Sequence, residues 1–167
     1  MTSNASKIIG QLEAYKKKIE AKTEKVVSDV TKEGERIANM RLSSADYTSK
    51  IESTIESSSS GKSGSVSMVG FDAGFIEFGT GTHYPDTHPL ASEMGAIRGS
   101  YGKGYGLKPP WTFIGDSVGT TGEVIGTARS GVVIETYGNP ANRVVYDTGK
   151  DLERSAVAIA KEVFNDD

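Results

Sequence analysis

Apolar residues recur at helical spacing along the first forty positions. Ile8, Leu12, Tyr15, Ile19, Val26, Val30, Ile37 and Met40 follow one another at steps of three, four or seven, which predicts one long helix over residues 1–42. Lys22 and Glu33 fill two slots of that stripe and make it imperfect. No proline interrupts the segment, while Gly10 and Gly34 each weaken it by about 1 kcal/mol relative to alanine. About 35 helical residues span ~50 Å at 1.5 Å each, whereas a compact chain of this size is only ~40 Å across. Such a helix either breaks near Gly34 or overhangs the rest of the chain. An overhanging apolar stripe needs a partner to cover it.

From Ser49 the period changes to two. Ile51 and Ile55 share a face with Ser53, opposite Lys50, Glu52, Thr54 and Glu56, which predicts a half-buried strand over Ser49–Glu56. The run from Ser57 to Gly64 reads as a mobile serine-rich tip, longer than a two-residue turn. Val66 and Met68 begin the returning strand. Glycine, tyrosine and basic residues over Gly95–Gly106 predict a long irregular loop, stiffened at its exit by Pro109 and Pro110. A short strand at Trp111–Ile114 follows, then a hairpin of Glu123–Thr127 and Val132–Tyr137 across Ala128–Gly131. Asn139 and Pro140 look like the N-cap and first residue of a closing helix over 139–167, striped by Val144, Thr148, Leu152, Ala156, Ile159 and Val163. Thr148 and Asp151 form a second capping pattern beside Gly149, and one uninterrupted helix is the preferred reading.

The expected fold is α+β within a single domain of 1–167. The N-terminal and C-terminal helices pack on one antiparallel sheet of four to five strands occupying 43–138, with the glycine-rich loop inserted.

Composition narrows the function. Nineteen basic and twenty-two acidic residues give a net charge of −3, unlike a free-standing nucleic-acid binder. The charge is segregated, at +3 over residues 1–42 and −6 over the remainder. No cysteine is present for a disulfide, a thiolate metal site or a nucleophile, and no cofactor is expected. No membrane-spanning or secretory stretch is evident, so cytoplasmic synthesis is expected.

Candidate chemistry is sparse. His83, Asp86 and His88 fall within six residues and offer three metal ligands, the basis of a metal-dependent hydrolase reading. Their spacing matches no helical ligand motif, and a surface loop is the simpler account. Tyr101, Tyr105 and Trp111 lie among Arg98, Lys103 and Lys108, a pattern able to stack single-stranded nucleic acid or to contact protein neighbours. Gly61-Lys62-Ser63 lacks the glycine a phosphate loop requires at position 56, which is Glu56. The favoured class is a structural protein without enzymatic activity.

The segment Ala73-Gly74-Phe75-Ile76-Glu77-Phe78-Gly79-Thr80-Gly81 is distinctive. It resembles the motif A-x-x-(V/I)-E-F-G-T-G of the phage neck and tail-completion family named after gene product ten of phage HK-ninety-seven, to which lambda's minor tail protein Z is distantly related. The long charged first helix, the strand pair, the glycine- and tyrosine-rich loop ending in Pro-Pro-Trp and the closing helix with Asn-Pro-Ala follow in the family's order. The chain departs at Leu42–Ile51, which lacks the family's Pro and Gly, and at Arg143-Val144-Val145, where the family has Pro-Phe. The resemblance implies a virion protein of the neck, assembled in the bacterial cytoplasm as a homo-oligomeric ring, a hexamer matching the tail. Such a ring encloses double-stranded DNA without reading sequence and contacts head-closure or connector proteins and tail-terminator or tail-tube proteins. A tail-terminator ring is the near alternative. Glu77 is then a hydrogen-bond or ion-pair anchor, Gly79 and Gly81 allow a sharp exit, and Leu12, Tyr15 and Ile19 are the expected inter-subunit contacts. Tyr101, Tyr105 and Trp111 are the expected loop contacts.

Overall fold

A computed structural model describes residues 4–81, 87–96 and 110–166. Helix α1 runs without a break from Asn4 to Ser43. Strands β1 (Thr54–Ser60) and β2 (Ser63–Val69) form a hairpin, followed by the short helix α2 (Ala73–Phe78). Strands β3 (Trp111–Gly115), β4 (Gly122–Ala128) and β5 (Gly131–Thr136) form a second sheet, and helix α3 (Val144–Asn165) closes the chain.

The architecture is α+β, but the expected single sheet is two antiparallel sheets. The first is β1-β2 and the second has the order β3-β5-β4. Helix α1 lies along the hairpin and along α3. Its line of contact explains why Gly34 does not break it. A Cβ at Gly34 would stand 2.8 Å from Leu152 Cδ1 of α3 and 3.0 Å from Val66 Cγ2 of β2. The missing side chain is what lets both elements approach. Leu42, Ala38, Ile76 and Val144 form the buried cluster, with Tyr47, Ile51, Ile55, Val66 and Met68 packed around it.

The first hairpin corrects two expectations. Strand β1 starts at Thr54, because the preceding backbone is held by side chains instead of a neighbouring strand. Glu52 N–H donates to Asp72 Oδ2 at 2.9 Å, the Ser53 hydroxyl to Asp72 Oδ1, and Ser49 pairs with Val118 in an isolated bridge. The serine run is then ordered strand. Ser60 pairs with Ser63 around a two-residue turn, where Gly61 adopts φ 57° as a type II′ turn requires. Helix α1 covers one face of this polar ribbon. Ser57 donates to Glu35 of α1, and Ser58 and Ser65 pair across the strands at 3.0 Å.

The second hairpin agrees with the expected strands within one or two residues, with Arg129 and Ser130 at the turn and a bulge between Val124 and Gly126. Ile134 on its central strand is fully buried. Helix α3 runs uninterrupted through Gly149 but begins at Val144 and not at Asn139. Asn139 is occupied elsewhere. Its Oδ1 accepts from Thr48 N–H at 2.7 Å and from the Thr48 and Thr121 hydroxyls, and its Nδ2 donates to Thr80 Oγ1 at 3.1 Å. Three separate chain segments meet on that one amide.

Candidate functional site

The E-F-G-T-G segment forms a helix and its exit, packed against residues 136–146. Helix α2 ends at Phe78, and Gly79 (φ 77°) and Gly81 (φ 93°) turn the chain out, as expected of those glycines. The path is too close to its neighbour for side chains. A Cβ at Gly79 would lie 2.7 Å from Ala141 N, and one at Gly81 would overlap the Tyr137 carbonyl oxygen. Thr80 N–H donates to Asn139 O at 2.8 Å, and Thr80 Oγ1 accepts from Asn139 N–H at 3.0 Å.

Glu77 is the anchor of this junction. Its carboxylate accepts hydrogen bonds from Val145 N–H at 2.8 Å and Tyr146 N–H at 2.9 Å, the first turn of α3. Arg143, the residue before α3, has φ 51° and makes no side-chain cap. The cap therefore comes from another element. A carboxylate held against helix N–H groups gains both charge-assisted hydrogen bonds and a favourable helix dipole. Arg143 N–H in turn donates to the Glu77 carbonyl at 3.2 Å.

His88 completes the cage and corrects its reading as a surface-loop residue. Its side chain is 1% exposed, with Nε2 3.2 Å from Glu77 Oε1. Leu90 N–H donates to Nδ1 at 3.0 Å, so the proton sits on Nε2 and points at the carboxylate. The ring stands edge-on to Phe78, with centroids 4.5 Å apart, and to Tyr146 at 5.3 Å. Both ring nitrogens are thus engaged, and His88 is no available metal ligand. His83 and Asp86 lie outside the described residues. Among the described residues, no group of three or more His, Cys, Asp or Glu is placed to hold a metal ion. Both side chains of the Glu77–His88 pair are buried.

Tyr47 lies beside the same core. Burial pushes its hydroxyl up to about 12, and the charges of Asp72 and Glu52 push in the same direction.

The second feature is the far end of α1. Residues 4–18 are exposed on every side, a stretch of fifteen residues or ~22 Å. Ile8, Leu12 and Tyr15 are 54%, 62% and 65% exposed and lie on one face. Ile19 differs from them: it is half-buried by its own chain, so only part of the expected contact is uncovered. Lys22 explains where cover begins. Its ammonium donates to the carbonyls of Phe164 at 3.0 Å and Asp166 at 2.6 Å, capping the end of α3. At the other end Arg41 pairs with Asp151 at 2.6 Å, so α3 runs antiparallel to α1 and stops at Lys22.

Tyr101 and Tyr105 lie outside the described residues. Trp111 is half-buried at the start of β3, its ring edge 3.0 Å from where a Cβ of Gly81 would be. It braces the motif's exit. No family model matches this chain, and neither does any curated protein or solved structure. No helix among the described residues is long and apolar enough to cross a membrane.

Proposed function

We propose that this chain is a structural virion protein of a tailed bacteriophage or related prophage particle. It sits at the neck as a homo-oligomeric ring around the DNA channel and joins tail to head. The observation that carries the reading is the overhang of α1. A fifteen-residue helix bearing Ile8, Leu12 and Tyr15 on one face is marginal alone in water and gains its stability from packing. A neighbouring subunit that covers it and offers its own overhang onward makes a head-to-tail contact, and such contacts close into rings. The E-F-G-T-G resemblance supplies the location, and the charge segregation suits contact between unlike surfaces.

The motif residues act as architecture in this reading. Glu77 fixes the start of α3, and Gly79 and Gly81 let the chain leaving α2 run close against residues 137–141, the link between β5 and α3. The experiment is an image of the particle produced by the genome encoding this chain, with the protein labelled. Label in a ring between head and tail supports the proposal. Label on the capsid shell, on fibres or absent from particles overturns it.

A further inference from the structure

The covered part of α1 and the outer side of α3 enclose a groove of about 340 Å³, floored by Ala158, Ile159 and Val163 and edged by Lys25, Asp29 and Glu33 of α1 and by Glu162 and Asp166 at the end of α3. Two observations match it to the overhang. The first is charge: residues 4–18 carry Lys7, Lys16, Lys17 and Lys18 against the single acid Glu13, while the groove is lined by four acids, Asp29, Glu33, Glu162 and Asp166, against the one base Lys25. The second is spacing. Ile8 and Tyr15 are seven residue steps apart on α1 with Leu12 between them, and Ser155 and Glu162 are seven steps apart on α3 with Ala158 between them. Each row is ~10 Å long. Ser155 and Ala158 are small, so a second helix can lie close along α3 there.

We infer that the overhang of one copy docks in this groove on the next copy. The occupant is a second copy of the same chain, with Ile8, Leu12 and Tyr15 against the apolar floor and the lysines against Glu162 and Asp166, since Asp29 is already paired with Lys25 at 2.6 Å. The contact is heterologous, because donor and acceptor are different surfaces of the subunit. It rests on the proposal that copies of this chain assemble, and it names the acceptor site.

The chain has no cysteine, so engineered pairs report unambiguously. Leu12→Cys and Ala158→Cys both fall at exposed positions. Because α3 ends at Lys22, Leu12 and Ala158 of one chain are roughly 25 Å apart along the helices, far beyond the Cα separation of a disulfide. A mixture of the two full-length single-cysteine proteins, mildly oxidised, is expected to give an L12C–A158C heterodimer as the main cross-linked product. In a second measurement, Glu162→Lys with Asp166→Lys is expected to weaken self-association at least tenfold by sedimentation. Adding Lys16→Glu and Lys17→Glu to the same chain is expected to restore most of that loss. Circular dichroism confirms that each variant is folded. Absence of the heterodimer, a dominant L12C homodimer, or association indifferent to the Glu162 and Asp166 reversals would overturn the groove as acceptor. Self-association that persists in such a case leaves the ring proposal standing. A wild-type chain that stays monomeric at every concentration overturns the docking itself, and the particle image then decides the neck assignment separately.

Discussion

The motif junction and the α1 overhang are opposites in how they treat their chemistry. At the junction, polar groups are buried and partnered: Glu77, His88, Asn139, Thr48 and Thr136 are each buried and hydrogen-bonded. On the overhang, the large apolar side chains Ile8, Leu12 and Tyr15 are more than half exposed to water. A folded chain gains from the first arrangement by itself. It gains from the second only when another surface arrives. Substitutions at the junction should therefore strike stability, and substitutions on the overhang should strike assembly.

The largest effect is expected at Glu77. Glu77→Ala leaves the Val145 and Tyr146 N–H groups and His88 Nε2 without their acceptor, a loss of about 3 kcal/mol in urea denaturation. Glu77→Gln keeps one acceptor oxygen and should cost about half as much. Next comes Gly138→Ala, where φ is 119° and a Cβ would overlap the Thr80 carbonyl oxygen. A loss of about 2 kcal/mol is expected from strain and displaced backbone. An unaffected melting temperature in either variant would break the assignment of the junction to stability.

Tyr47 gives a pH handle on the same region. Its hydroxyl ionises near 10 in the unfolded chain and near 12 in the folded one, so the folded state favours the neutral phenol. That stability is fully present below pH 10 and is lost as pH rises towards 12. The ring is only half-buried, so solvent screening holds the effect to on the order of 1 kcal/mol. Tyr47→Phe should flatten the alkaline limb of the stability curve.

The smallest contrast lies within one helix. A Cβ at Gly10 meets nothing within 4 Å, so Gly10→Ala should raise helix content with a gain of up to about 1 kcal/mol in the overhang. Gly34→Ala offers the same propensity but presses on Leu152 and Val66, and a net loss of about 1 kcal/mol is expected. Equal effects at the two glycines would mean that the two halves of α1 have similar surroundings.

The parts of this fold legible in sequence were those that a single period encodes. The stripe of α1 and its excess length followed from spacing alone, as did β5 and the continuity of α3. The partners across the chain were not legible. Asn139 before Pro140 is a sound local cap signal, but Thr48, ninety-one residues away, occupies its side chain. The serine run lacks apolar alternation, and only the cover of α1 makes it strand. Alternation also identifies strands without saying which will pair, so two sheets were read as one. At the candidate site, Glu77 was singled out as an anchor by its motif. His88 was misread because its partner lies eleven residues earlier on another element.

The most direct test of the central claim, that the overhang is an assembly face, is electron microscopy of particles made with Leu12→Asp and Tyr15→Asp in place of the wild-type chain. Both residues are exposed, so the purified variant should keep its stability within about 0.5 kcal/mol and its helical circular dichroism. Charge placed in the contact should prevent docking and leave complete heads and complete tails unjoined. Normally joined particles from a folded variant would contradict it and make the exposed face of α1 a solvated one.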